Sequence, residues 1–263
     1  MNKRNFTTVR LSQGEMHVYD FGAVKLHACQ TGDPLADEVF LLEKAGRFVV
    51  LEPPCFVDSI AALSSYLEDK PVDGILVAYH GAGASFLPGA PKYSTDNAVE
   101  YAKRGGGRAL IDQFAAAFGG EFDSGIHEIS HIMGEGAVTI GGIEFIIRRT
   151  AEAYDVEIPE INAVYTHMLG HDCHSIVAGA EHADGMIAQL KGYIQRGFDL
   201  ILTSHYTPED LKDAGTKIAY LEELKTIASS CSDGGTFRAE VKKRYPAYSG
   251  ENYLDMTSGF FFP

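Results

Sequence analysis

The chain has 263 residues, of which 45% are hydrophobic and 22% charged, and its formal net charge is −14 at pH 7. This length suits one α/β domain, and the apolar content is enough for a core, which excludes a chain disordered throughout. The excess of acidic over basic residues, 36 against 22, opposes binding to nucleic acid or to an anionic membrane. We expect a small-molecule partner, no nucleic acid and no membrane; the composition leaves the oligomeric state open.

The N-terminal segment and the cysteines indicate the compartment. No apolar stretch follows the basic residues near the N-terminus, so a secretory signal is not expected. No run approaches the roughly 18–20 apolar residues of a membrane helix. The four cysteines lie far apart in the sequence, which matches neither a disulfide framework nor a zinc knuckle. These observations predict a cytoplasmic protein.

The first half of the chain predicts hairpins followed by alternating helices and strands. Short runs rich in Val, Ile, Phe and Tyr predict strands over 17–29, 38–42, 47–51 and 74–79. A turn at Gly46 joins two of these runs into a hairpin. Apolar residues at helical spacing predict a helix over 57–67. The run at 74–79 is continuously apolar, as in a strand buried on both faces, and leads directly into His80.

The second half follows a similar order. The same patterns predict helices over 97–101, 108–118, 186–194 and 211–229, and β structure over 136–150, 162–168, 174–178 and 199–204. The 136–150 run is expected to turn at Gly141-Gly142, and the last of the strands leads directly into His205. No fixed-period repeat or linker-like tract divides the chain. We therefore predict one domain over 1–263 with a C-terminal helical extension over about 207–263.

Two predicted strands end in histidines, His80 and His205. Active-site groups of layered α/β folds lie at the carboxyl ends of buried strands. Small residues after His80 would let a ligand approach the backbone. One such histidine alone is more commonly structural, but two in corresponding places of two similar halves indicate a site.

A second histidine group lies between residues 167 and 182, with carboxylates beside it. Its members are His167, His171, His174, His182, Asp172, Glu181 and Asp184. If the 162–168 and 174–178 runs form a hairpin, His167 and His174 face each other on one side of it. Imidazole and carboxylate together suit zinc, manganese or iron. A solvent-facing histidine pair is an equally good interpretation.

Three further motifs carry less weight. Residues 127–131 match HExxH, in which two histidines one helical turn apart bind zinc, but neighbouring glycines leave little room for the helix. The three glycines at 105–107 lack the Lys and Ser/Thr of a phosphate-binding loop. No GxSxG elbow is present, so serine-type hydrolysis by Ser85 and His205 has the least support.

Over about residues 16 to 225, the order of elements resembles the metallo-β-lactamase superfamily. The likeness covers the N-terminal hairpin, a helix, the strand into His80, the later β runs, a helix and the strand into His205. It implies an α/β fold, a four-layer αββα sandwich of two mixed sheets with a metal site on one edge.

The resemblance implies a site with fewer ligands than usual. The family's HxHxDH motif falls on His80, Ala82, Ala84 and Ser85, so the first histidine of the motif is its one remaining ligand. The family's last histidine matches His205. Loss of the other ligands argues against a mechanism that needs two metal ions.

Two registers are open for the remaining ligands. The preferred one places Glu152 and Glu181 there, as in superfamily branches resembling alkylsulfatases. The alternative one makes His171 a ligand. The resemblance thus implies one divalent metal ion held by His80, Glu152, Glu181 and His205, with zinc first, manganese or iron as alternatives, or no metal at all.

Two functions follow from this resemblance. The first is a metal-dependent hydrolase of a small soluble ester, lactone, amide or phosphodiester, with a metal-bound water as the nucleophile. The second is a non-catalytic ligand-binding protein of the same fold that has lost its metal. The replacements at Ala82, Ala84 and Ser85 favour the second.

Overall fold

The computed structural model describes residues 5–168, 170–205 and 208–263. The chain divides into two compact units. The first comprises the residues up to His167 together with Leu202–Pro208, and the second comprises Met168–Ile201 together with Glu209–Pro263. The expectation of a single domain with an extension from about residue 207 stays a prediction beside this division.

An eight-stranded sheet dominates the first unit. Its strands are β1 (Thr7–Arg10), β2 (Glu15–Asp20), β3 (Val24–Gln30), β4 (Glu38–Lys44), β5 (Arg47–Leu51), β6 (Val72–Leu76), β7 (Lys92–Ser94) and β8 (His131–Ile132), in that spatial order. Strands β1 to β5 pair antiparallel, and β5 to β8 pair parallel. The predicted hairpin of β4 and β5 is confirmed. Ala45 and Gly46 both have positive φ at its turn, as a tight two-residue hairpin requires.

Three helices accompany this sheet, namely α1 (Val57–Leu67), α2 (Asp96–Arg104) and α3 (Gly106–Phe118). Helix α1 has the predicted bounds. Its Ile60 and Leu63 join Leu41, Val50 and Ile75 of the sheet in one buried cluster. Apolar spacing along the helix therefore reports the face that packs on the sheet.

A five-stranded sheet follows, made of β9 (Gly136–Ile140), β10 (Ile143–Arg149), β11 (Tyr154–Ile158), β12 (Ala163–Thr166) and β13 (Leu200–Thr203), in the order β13-β12-β11-β10-β9. The hairpin of β9 and β10 turns at Gly141-Gly142, as predicted. Strand β11 was not predicted, because Asp155 and Glu157 interrupt its apolar pattern. Both are buried, and Glu157 Oε1 accepts a hydrogen bond from Arg148 Nε at 2.7 Å.

The two sheets pack face to face within the first unit. The rings of Phe40 and Tyr165 meet edge to face with centroids 6.2 Å apart. Gly74 lies where the sheets approach closely, since a Cβ there would lie 2.7 Å from Ile140 Cγ2. The predicted fold class, α/β with two mixed sheets, is confirmed.

The second unit contains α4 (Ala180–Arg196), α5 (Leu211–Ser230), α6 (Gly234–Arg244) and α7 (Glu251–Phe261). A capping box closes the start of α5, where Asp210 accepts from the backbone N–H of Asp213 and Asp213 accepts from that of Asp210. The described helices do not combine the length and the apolar character that a membrane span requires.

The predicted strand at 174–178 is wrong, because this segment has no regular structure. Its backbone groups are satisfied by other partners, which is how a buried irregular segment avoids unpaired polar groups. The N–H of His174 donates to Ser249 O at 2.9 Å, and the N–H of Val177 donates to Thr257 Oγ1 at 2.8 Å. The predicted hairpin that pairs His167 with His174 is therefore not formed.

Glu38, the first residue of β4, is fully buried, and its carboxylate oxygens accept no hydrogen bond from the described residues. Burial raises the pKa of Glu38 well above its usual value. A carboxyl with a raised folded-state pKa stabilises the fold most below its unfolded pKa, near 4.3, and this stability is lost as pH rises through the folded-state pKa.

We predict that Glu38→Gln stabilises the protein at neutral pH, because the amide has no charge for burial to oppose. Urea unfolding between pH 4 and 8 measures this difference. The gain should shrink toward pH 4, and the exposed Glu68→Gln variant should follow the parent protein. Parallel pH profiles for the parent and Glu38→Gln would contradict the prediction.

Candidate metal centre

Three histidines follow the carboxyl ends of three strands. His80 comes shortly after β6, His167 directly after β12, and His205 two residues after β13. Each offers one ring nitrogen, and these three nitrogens lie within 4.8 Å of one another. The ring centroids are 5.4 Å apart for His80 and His167, and 5.6 Å apart for each of the other pairs. Three ring nitrogens this close together could ligate one divalent ion.

His205 is oriented by backbone and carboxylate together. Its Nδ1 lies 3.0 Å from Leu35 O and 3.2 Å from Asp37 Oδ1. The backbones of Asp37 and His205 form an isolated β-bridge. A 2.8 Å hydrogen bond from Glu38 N to Ser204 O accompanies it, and together they fix the backbone that carries His205. Because Leu35 O can only accept, Nδ1 carries the proton and Nε2 keeps its lone pair. Metal-binding histidines are prepared in this way.

Glu52 fixes the backbone that carries His80. This residue is fully buried, and its carboxylate accepts hydrogen bonds from Tyr79 N at 2.7 Å, His80 N at 2.9 Å and Tyr165 Oη at 2.9 Å. Its φ of 59° lies in the left-handed region, which a non-glycine residue adopts where its surroundings compel it. The three hydrogen bonds to its carboxylate hold Glu52 in this backbone conformation.

The side chain of His80 has an unused donor atom. Its Nδ1 is buried, accepts or donates no hydrogen bond among the described residues, and lies 3.8 Å from Glu52 Oε2. Buried imidazole nitrogens normally have a partner. An orphaned nitrogen in a histidine group fits a metal ligand.

The charges of the centre favour a cation. Burial opposes a charge on His80, yet the carboxylates of Asp37 and Glu52 raise the pKa of His80 above its usual value. Burial likewise opposes the charge on Asp37, but His80 and His205 lower the pKa of Asp37 below its usual value. Carboxylates thus favour a positive charge on His80, whereas desolvation of its ring and the two neighbouring histidines lower the pKa of His167 well below its usual value, so that its imidazole is neutral and available as a ligand.

His167 forms the open side of the group. It is exposed, and its ring stacks on Tyr79 with centroids 4.5 Å apart and planes at 22°. Tyr79 is held in turn by a 2.8 Å hydrogen bond between its hydroxyl and Thr150 Oγ1. This stacking orients an accessible imidazole toward the other two.

The loop after His80 contributes to the core where the family motif would supply ligands. Ala82 is buried in an apolar cluster with Cys55 and Phe122. Gly83 has a φ of 87°, and a Cβ at this position would lie 2.2 Å from Pro54 O. The position two residues after His80 therefore serves side-chain packing.

Two of the sequence-predicted ligands, His80 and His205, are brought together in the three-histidine group. The ligand set implied by the family resemblance omits His167, although the sequence points to it, paired with His174, as a possible metal ligand. Its position directly after a strand is the signal that could have identified it, since His80 and His205 share it.

The structure places the other predicted ligands elsewhere. Glu152 is exposed in the turn before β11, and Glu181 is exposed in the first turn of α4. Neither belongs to a metal-ligand group among the described residues. The alternative ligand His171 lies in the second unit, with Nδ1 2.8 Å from Glu209 Oε1. A ligand role for these three residues stays a prediction.

The zinc-helix interpretation of residues 127–131 is wrong, because this segment forms no helix. His127 is buried, and burial lowers its pKa to about 4. His131 is exposed in β8 and stacks on Tyr93 with centroids 4.5 Å apart. The glycines around the motif indicate this outcome, since they disfavour a helix.

No protein-family model and no curated protein matches the chain. Solved structures do match. A stereoselective inverting sec-alkylsulfatase from Pseudomonas sp. superposes with a TM-score of 0.60 at 14% identity, covering 89% of this chain and 48% of that one. The chain therefore spans about half the length of this sulfatase. A metallo-β-lactamase family protein from Thermus thermophilus has a TM-score of 0.59 at 12% identity, with 88% and 91% covered.

A metallo-β-lactamase from Erythrobacter litoralis is also similar, with a TM-score of 0.52 at 14% identity, and 82% of this chain and all of that one are covered. At such identities the likeness concerns the fold. It agrees with the resemblance inferred from the order of elements. The chain has the metallo-β-lactamase fold.

Proposed function

We propose that the protein is a metal-dependent hydrolase of a small soluble substrate. The observation that carries this proposal is the three-histidine group, His80, His167 and His205, at the ends of three strands of a metallo-β-lactamase fold. Three histidines are a known ligand set of catalytic zinc, and they leave a coordination position open. A divalent metal supplies Lewis acidity and activates water for hydrolysis.

The residues around the histidines have positioning roles in this proposal. Asp37 and Leu35 O keep the His205 proton on Nδ1, so that Nε2 would be the nitrogen available to hold an ion. Glu52 holds the backbone of His80, and Tyr79 orients the ring of His167. A site held by buried hydrogen bonds needs little rearrangement when an ion binds.

Zinc is the first choice for the metal, with manganese or iron as alternatives, because imidazole ligands suit several divalent ions. The net charge of −14 disfavours a polyanionic substrate. Esters, lactones, amides and phosphodiesters form the substrate panel, and a sec-alkyl sulfate joins it because of the sulfatase similarity. The described cysteines are free thiols, which supports the cytoplasm as the compartment.

Metal analysis tests this function. We expect about one equivalent of a transition metal in the untagged protein by inductively coupled plasma mass spectrometry. We also expect hydrolysis of at least one member of the panel, lost on chelation and restored by zinc. Protein without metal after incubation with zinc and manganese would contradict the proposal and favour the non-catalytic binding protein. Hydrolysis that survives removal of the metal would contradict it too.

A further inference from the structure

We propose that Asp37, Cys55 and His80 form a second ligand group, which supplies a thiolate to a zinc-like divalent metal. This inference rests on the proposed function in one respect, since both concern the same centre. It deepens that function by assigning the chemical class of the metal. One ligand atom from each of the three residues lies within 4.8 Å of the other two.

Neighbouring strands bring these residues to one edge of the eight-stranded sheet. Asp37 directly precedes β4, and Cys55 follows β5. Because β4 and β5 pair antiparallel, the start of the first lies beside the end of the second. His80 follows β6, which is parallel to β5, so its strand ends at the same edge. Residues that are far apart in the sequence thus meet through the pairing of three strands.

Burial and hydrogen bonding distinguish this group from an ordinary surface cluster. Asp37 is 2% exposed and Cys55 5% exposed. His80 Nδ1 is buried without a hydrogen bond from the described residues, and Asp37 Oδ1 lies 3.2 Å from His205 Nδ1. The Cys55 thiol lies 3.9 Å from Pro53 O, a long contact. A buried ring nitrogen normally has a partner, so the position of His80 Nδ1 beside a buried carboxylate and a buried thiol points to a ligand that binds all three.

The donor set defines the metal class. A thiolate selects zinc, iron or cobalt over magnesium, calcium and manganese. On binding, the Cys55 S–H bond breaks, its proton passes to solvent, and the sulfur electron pair forms the bond to the metal. Cys55 also packs beside Ala82 in an apolar cluster, where a thiol can serve simply as a small apolar side chain. The experiment must separate these two roles.

Cobalt substitution separates them. The full-length protein loaded with Co²⁺ is expected to show a thiolate-to-cobalt charge-transfer band in the near ultraviolet. Cys55→Ser should abolish the band and lower the preference for zinc over manganese at least tenfold. Cys29→Ser is the matched control, since Cys29 is also a buried thiol of the first unit but contributes to a different cluster. This control should keep the band.

A cobalt protein without the band would overturn the proposal, as would a band that persists in Cys55→Ser. If Cys55→Ser fails to fold, the parent spectrum still decides whether a thiolate binds, and Asp37→Asn should weaken cobalt binding. The band does not depend on turnover. Failure of the hydrolase proposal would therefore appear as a metal-loaded, inactive protein with the band intact.

Discussion

Replacement of His80 by alanine is expected to remove stoichiometric metal from the protein. His80 belongs to both ligand groups, so its loss weakens each of them. Removal of a residue that merely supports a ligand costs about 10–100-fold in metal affinity, and loss of the ligand itself should cost more. Zinc titration against a chromophoric chelator measures the change. The double variant His80→Ala/His205→Ala should bind no metal and should lose hydrolysis in parallel.

The control for this experiment also examines the alternative ligand. His171 is a half-buried histidine paired with Glu209 in the second unit. If the three-histidine group holds the metal, His171→Ala keeps its metal and its activity. Metal loss in His171→Ala, or one full equivalent retained in His80→Ala, would refute the assignment of the centre.

Glu52→Ala is expected to have the largest effect on folding. The substitution leaves two donors, the N–H groups of Tyr79 and His80, without their acceptor. The hydroxyl of Tyr165 keeps Ser204 Oγ as a partner at 2.7 Å. Each unpaired buried donor costs about 1–3 kcal/mol, so we expect the free energy of unfolding to fall by about 2 kcal/mol or more. Urea unfolding of the metal-free protein measures this loss without a contribution from bound metal.

Two variants calibrate that result. Glu52→Gln preserves the shape and one acceptor oxygen, so its loss should be smaller than that of alanine. Glu68→Ala changes an exposed glutamate and should leave the unfolding free energy nearly unchanged. A loss below about 1 kcal/mol in Glu52→Ala would show that water replaces the carboxylate, contrary to the burial of this residue.

Local sequence patterns predicted the elements in which the buried residues are apolar and regularly spaced. The helix at Val57–Leu67 and the hairpin around Gly46 follow directly from apolar spacing and turn chemistry. Strand β11 escaped prediction because two of its five side chains are buried acids. The segment at 174–178 looked like a strand because its apolar residues are buried, but side chains and loops satisfy its backbone. Apolar residues indicate that a segment is buried. They do not indicate whether its backbone hydrogen bonds are made to a neighbouring strand or to other groups.

The sequence predicted those residues of the candidate centre that directly follow a recognisable strand. His80 and His205 were identified because each follows a continuous apolar run. Asp37, Cys55 and Glu52 gave no such signal. Their relation to the histidines arises from strand pairing and from a backbone turn, which a single sequence does not display. Carboxylates and thiols at element boundaries are too common in sequences to be singled out without that geometry.

The packing around Ala82 bears on how this fold could be redesigned. The design of a two-metal centre would begin with a histidine in the loop after His80, at the position of Ala82. An imidazole at Ala82 would have to enter a cluster already filled by Phe56, Ile111 and Phe122, and overpacking of this kind costs typically about 1–3 kcal/mol. A two-metal design would therefore also have to change the helix and loop that cover Ala82, because a single substitution there introduces strain without a well-placed ligand.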